Sequence, residues 1–123
     1  MKATFIETAE FTEVISAYMN DEIYAELQRQ LMENPTAGDA MPSCGGLRKI
    51  RASDAKRGKG KRGGSRVIYL HVPDAKRFYM LDIYGKDEKA DLSADEKQQL
   101  RALASTLKIE AKTAYLRWLQ ENG

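Results

Sequence analysis

Residues 65–84 read SRVIYLHVPDAKRFYMLDIY, two runs rich in β-branched and aromatic residues with Pro73-Asp74-Ala75-Lys76 between them. Such residues suit a pleated, half-buried surface, and Pro followed by Asp opens a tight turn. Ser65 to Val72 and Phe78 to Tyr84 are therefore expected as antiparallel neighbours. Upstream, Leu47 to Ala52 is a third run of the same kind, and the three together predict a meander.

Toward the N-terminus, Lys2 to Thr8 carries Phe5 and Ile6 among threonines and suits a short first strand. Phe11, Val14, Ile15 and Tyr18 then recur at helical spacing. After Asn20, a good N-cap, Tyr24, Leu27 and Leu31 make a second apolar stripe. Two helices, or one bent one, should precede Asn34-Pro35, and Gly38, Pro42 and Gly45-Gly46 mark the change to extended chain. Past the meander, Ser93-Ala94-Asp95-Glu96 has the form of a capping box, and Leu100, Leu103, Leu107, Ala111, Ala114 and Trp118 continue one helical face. A helix of about 29 residues would run about 43 Å, more than a small domain covers. Either it bends or its end leaves the core; the simplest reading folds it back over the sheet with Trp118 covered, and the alternative is a protein-binding extension that presents Trp118 to a partner. The expected architecture is α+β: a small antiparallel sheet with two N-terminal helices and a C-terminal helix, in a single domain over residues 1–123.

With 42% hydrophobic residues, the chain of 123 can bury a core without staples. Cys44 is the single cysteine and His71 the single histidine, so no intrachain disulfide or cysteine-based zinc site can form, and metal-dependent chemistry would need carboxylates. No apolar run reaches the roughly 20 residues of a membrane span, and MKATFIETAEF lacks the apolar stretch of a signal peptide. A cytoplasmic protein without metal or small-molecule cofactor is expected.

Charge is concentrated in GGLRKIRASDAKRGKGKRGGSR, residues 45–66. Arg48, Lys49, Arg51, Lys56, Arg57, Lys59, Lys61, Arg62 and Arg66 stand there against Asp54 alone, giving +8 where the whole chain is only +2. The remainder is net negative, and Glu7, Glu10, Glu13, Asp21, Glu22, Glu26, Glu33 and Asp39 read as a solvated helical face. Such asymmetry fits a polyanion, because each phosphate neutralised by Lys or Arg releases counterions. Gly58, Gly60, Gly63 and Gly64 let backbone amides approach phosphate oxygens as well. No Walker loop occurs. In Leu47 to Ala52 the period of two puts Lys49 and Arg51 on one face and Ile50 on the other. Arg66 and Tyr84-Gly85-Lys86 are expected to border the same surface. A charged sheet edge with a structural tyrosine fits the same pattern.

The order strand, helices, LRKIR, basic loop, GSRVIY, KRFYMLDIYGK and closing helix resembles the RelE/HigB family of bacterial toxins, in particular its HigB-like branch, over nearly the whole chain. GGLRKIR, GKGKRGGSRVIY and IYGK carry the similarity together. The resemblance implies a toxin that cuts translated mRNA in the ribosomal A site and is held inactive by a cognate antitoxin. Its partners would be that antitoxin and the 30S A site with mRNA and ribosomal RNA. By position, the family's paired strand cations correspond to Lys49 and Arg51, and its arginine at the head of the next strand to Arg66. Its small-residue and lysine step corresponds to Gly85-Lys86. Asp87 stands where RelE often has arginine, and the C-terminal tyrosine used by RelE as a base has no match, so Tyr84 is the substitute.

With no second histidine, the chemistry implied falls on Lys49, Arg51, Arg66, Tyr84 and Lys86. His71, mid-strand, reads as a packed residue. Arg51 and Arg66 suit a phosphorane, a neutral Lys49 or Lys86 the proton transfers, and Tyr84 base stacking or proton donation. Arg48, Lys56, Arg57, Lys59, Lys61 and Arg62 would hold RNA backbone. Two rival readings share the scaffold: a ParE-like inhibitor of DNA gyrase without nuclease activity, and a non-catalytic RNA- or ribosome-binding domain.

Overall fold

The computed structural model describes residues 2–53 and 64–123. At its centre β4 (Ser65–Val72) pairs antiparallel with β3 (Arg48–Ala52) on one side and β5 (Arg77–Gly85) on the other. This is the expected meander. The turn between β4 and β5 is a single 3₁₀ turn, Pro73–Ala75, closed by Lys76 in the left-handed region. Two elements extend the sheet to five strands in the order β1-β5-β4-β3-β2. The first strand, β1 (Thr4–Glu7), lies parallel to β5, and β2 (Asp39–Ala40) lies antiparallel to β3. The N-terminal helices carry the chain from β1 at one edge of the sheet to β2 at the other. Two exposed residues carry no pattern, so β2 had no sequence signal.

The N-terminal helical stretch resolves into two helices. Thr8 caps α1 (Ala9–Val14), a 3₁₀ turn over Ile15–Ala17 follows, and Asn20 restarts the chain by accepting the Ile23 amide at 2.9 Å, opening α2 (Asp21–Glu33). Phe11, Tyr18, Met19, Leu27 and Leu31 from this layer cover one sheet face, against Ile50, Val67, Tyr69, Phe78, Met80 and Ile83. On the other face lies α3 (Ala94–Asn122), opened by the capping box: Ser93 Oγ accepts from the Glu96 amide at 3.1 Å and Glu96 from the Ser93 amide at 2.8 Å. Ala104 and Ala111 are its buried residues, packed with Leu47, Ile68, Leu70, Tyr79 and Leu81. Covered on both faces, β4 is buried from Ser65 to Leu70, which is why it is so continuously apolar.

The end of α3 leaves the core. Leu116 is 51% exposed and Trp118 54%, so the reading that folds this helix back over the sheet with Trp118 covered is corrected. The sheet is too short for 29 residues of helix. Trp118 instead stacks on Tyr115, ring centroids 6.1 Å apart. No helix among the described residues is long and apolar enough to cross a membrane.

Between β4 and β5 the register slips. Ile68 pairs with Asp82 but Tyr69 with Met80, which leaves Leu81 as the extra residue of a β-bulge. Alternation alone would put Met80 and Tyr84 on one face. With the bulge, Met80 joins the α1–α2 face and Tyr84 the α3 face.

Candidate functional site

The pairing at the β3–β4–β5 end builds a cationic row. Arg51 is directly opposite Arg66, and Arg66 directly opposite Tyr84. One step along lies a second row of Lys49, Ile68 and Asp82. Ile68 and Tyr84 belong to the α3-side cluster, so both rows face that side. Arg51 is the exposed end of its row; Arg66 is 6% exposed and Tyr84 3%. Buried arginine is costly unless partnered, and its Nη1 donates to the Ser65 carbonyl at 3.3 Å. The Tyr84 hydroxyl is buried with no hydrogen-bond partner among the described residues, and the Lys89 ammonium lies over its ring, 5.3 Å from the centroid. Burial first, then the Asp91 charge, pushes the Tyr84 phenol up from its ordinary value, against the opposing pull of Arg66 and Lys89.

Lys49 has a carboxylate for a neighbour. Its Nζ is 3.2 Å from Asp91 Oδ1, and the other oxygen of Asp91 is 2.9 Å from Lys97 Nζ on α3. Lys97 first, with the Leu92 amide and Lys49, holds the Asp91 carboxyl below its ordinary 3.8, at about 2. The turn after β5 is fixed by Glu88: its Oε1 accepts from the Gly85 amide at 2.6 Å and from the Tyr18 hydroxyl, tying the sheet end to the helical layer. The Lys86 amide donates to the Gly64 carbonyl at 2.9 Å, so the ladder runs one step past Ser65–Gly85, and the Lys86 side chain is exposed there.

The family model for the RelE toxin of the RelE/RelB toxin–antitoxin system matches residues 38–123. The chain belongs to the RelE toxin family. It is similar in structure to E. coli toxin RelE, in the free-state form of an arginine-to-alanine mutant, with a TM-score of 0.49 and 10% sequence identity over 73% of this chain and 90% of that one. Membership in the RelE family implies an antitoxin as partner.

Of the positions assigned from the sequence, this RelE-family chain brings Lys49, Arg51, Arg66 and Tyr84 to one face and Lys86 to its rim. Arg48 lies elsewhere. Period two turns it to the α1–α2 face, where its guanidinium donates to the Gly38 carbonyl at 3.0 Å and sits beside the Tyr69 hydroxyl. Lys56, Arg57, Lys59, Lys61 and Arg62 fall outside the described residues, as do Gly58, Gly60 and Gly63. His71 is five residues along β4 from Arg66, about 16 Å away at strand rise, and stacks on Phe78 at 4.4 Å. Burial lowers its pKa. Sequence reasoning missed Asp91 and Lys97, whose only signal was a carboxylate two residues ahead of the capping box and a lysine one turn into the helix.

Proposed function

We propose that this protein is a ribosome-dependent endoribonuclease of the HigB-like branch, a toxin that cuts translated mRNA in the A site and is neutralised by a cognate antitoxin. The observation that carries the reading is the Arg51–Arg66–Tyr84 row, two guanidiniums beside a buried hydroxyl with no partner among the described residues. RNA cleavage without metal moves three things: the 2′-oxygen gives its proton to solvent water and attacks phosphorus, a phosphorane gathers negative charge, and the 5′-oxygen leaves with a proton. The guanidiniums of Arg51 and Arg66 match phosphate oxygens in a fork, so they stabilise the phosphorane. Tyr84, its pKa raised by burial, keeps its proton at neutral pH and supplies it to the 5′-oxygen.

Lys49 adds charge at the second row, and Lys86 at the rim meets RNA backbone or a base edge. Lys56, Arg57, Lys59, Lys61 and Arg62 supply sequence-independent attraction to messenger and ribosomal RNA. The test incubates purified protein with a defined mRNA, with and without programmed ribosomes, and maps new 5′ ends by primer extension. Cuts at a fixed codon position that need ribosomes are expected. Intact message with folded protein would move the reading to the gyrase inhibitor or to a non-catalytic ribosome-binding domain.

A further inference from the structure

Lys49 is tied to α3 through one carboxylate, Asp91. Asp91 Oδ1 accepts from Lys49 Nζ at 3.2 Å and from the Leu92 amide at 2.8 Å, while Oδ2 accepts from Lys97 Nζ at 2.9 Å. Leu92 is buried in the α3-side cluster, and the capping box begins at the next residue, with Lys89 Nζ 2.5 Å from Glu96 Oε2. An exposed ion pair standing alone fixes geometry weakly. Here the backbone bond and the buried leucine place the carboxylate before either lysine reaches it. Around Lys49 the facing groups are Asp39 on β2, Arg51 on β3, Arg66 on β4, Asp82 and Tyr84 on β5, Cys44 in the loop before β3, and Lys97 on α3. Without Asp91, a flexible lysine near Arg51 and Arg66 would turn away from them by like-charge repulsion.

We propose that Asp91 is a positioning residue of the site: by bridging Lys49 on β3 to Lys97 on α3, it fixes the Lys49 ammonium as a cation beside the Arg51–Arg66–Tyr84 row. The proposal rests on Lys49 belonging to an RNA-cleaving face. It makes Lys49 a charge and not the base, and it makes the start of α3 part of the site's framework.

Asp91→Asn keeps the shape and removes the charge, Asp91→Glu restores the carboxylate, and Lys97→Met frees one oxygen. Two readouts apply: single-turnover cleavage on programmed ribosomes, and the side-chain ammonium signals of ¹⁵N-lysine-labelled protein, in which ion-paired lysines stand out through slowed exchange. Asp91→Asn should lose the Lys49 signal and slow cleavage about ten- to a hundredfold, the scale of ~1 Å misplacement, while circular dichroism still reports the folded sheet. Asp91→Glu should recover both, and Lys97→Met should fall between. Wild-type or faster cleavage by Asp91→Asn overturns the positioning role alone. Wild-type protein that cuts no message overturns the RNA-cleaving reading, and the positioning role falls with it.

Discussion

At the scale of single residues, Arg66 and Tyr84 separate chemistry from stability. Both are buried side by side, yet the Tyr84 hydroxyl has no partner among the described residues, so its desolvation is uncompensated. Tyr84→Phe should therefore melt at the same temperature or higher, a gain of up to about 1 kcal/mol, while cleavage falls. Unchanged cleavage would take the hydroxyl out of the reaction. Arg66→Ala should lose about a hundredfold or more in cleavage while circular dichroism still reports the folded sheet; normal cleavage by the folded variant would remove Arg66 from the site. Asp91 makes an acid-limb prediction. Its pKa is depressed from 3.8 to about 2, so the stability it contributes is complete above the ordinary value and is lost as pH falls through that interval. The melting-temperature gap between wild type and Asp91→Asn should accordingly be constant near neutrality and close between pH 4 and 2. A gap that persists at pH 2 would contradict the bridge.

At the scale of elements, the capping box, the Asn20 N-cap and the β4–β5 hairpin were legible because each is a local rule of a few residues. The bulge was not, because Leu81 becomes the extra residue only when two strands and two helical layers compete for the same faces. It sends Phe78 and Met80 to one face while leaving Tyr84 beside Arg66 on the other. Charge groups Arg48 with the cations of the basic loop as an RNA-backbone contact, and the alternation of β3 puts it on the face opposite Lys49 and Arg51, hydrogen-bonded to Gly38. That glycine marks a tight approach of β2 to β3. Its φ is +84°, and a Cβ there would lie 2.3 Å from the Lys49 carbonyl oxygen. Gly38→Ala should push β3 aside, lowering the melting temperature and cleavage together; a variant as stable and active as wild type would show that the strand has slack.

At the scale of the whole molecule, nine cations lie within residues 45–66 of the sequence against a net-negative remainder. Charge of this kind adds affinity and association rate without sequence preference. Neutralising Lys59 and Lys61 together should weaken ribosome binding and make its dependence on salt shallower, by up to about 1.4 in the log–log slope for two phosphate contacts on single-stranded RNA. An identical slope would show that these lysines meet no phosphate. The sequence by itself determined the α+β class, the meander, the helix starts and the grouping of charge, because propensity, capping and composition act within a few residues of chain. Only the tertiary structure decided which cations share a face, that Arg66 and Tyr84 are buried as neighbours, that Asp91 reaches Lys49 across 42 residues of chain, and that α3 outruns the core. These depend on strand register and on the finite width of the sheet, which arise only when distant segments pack.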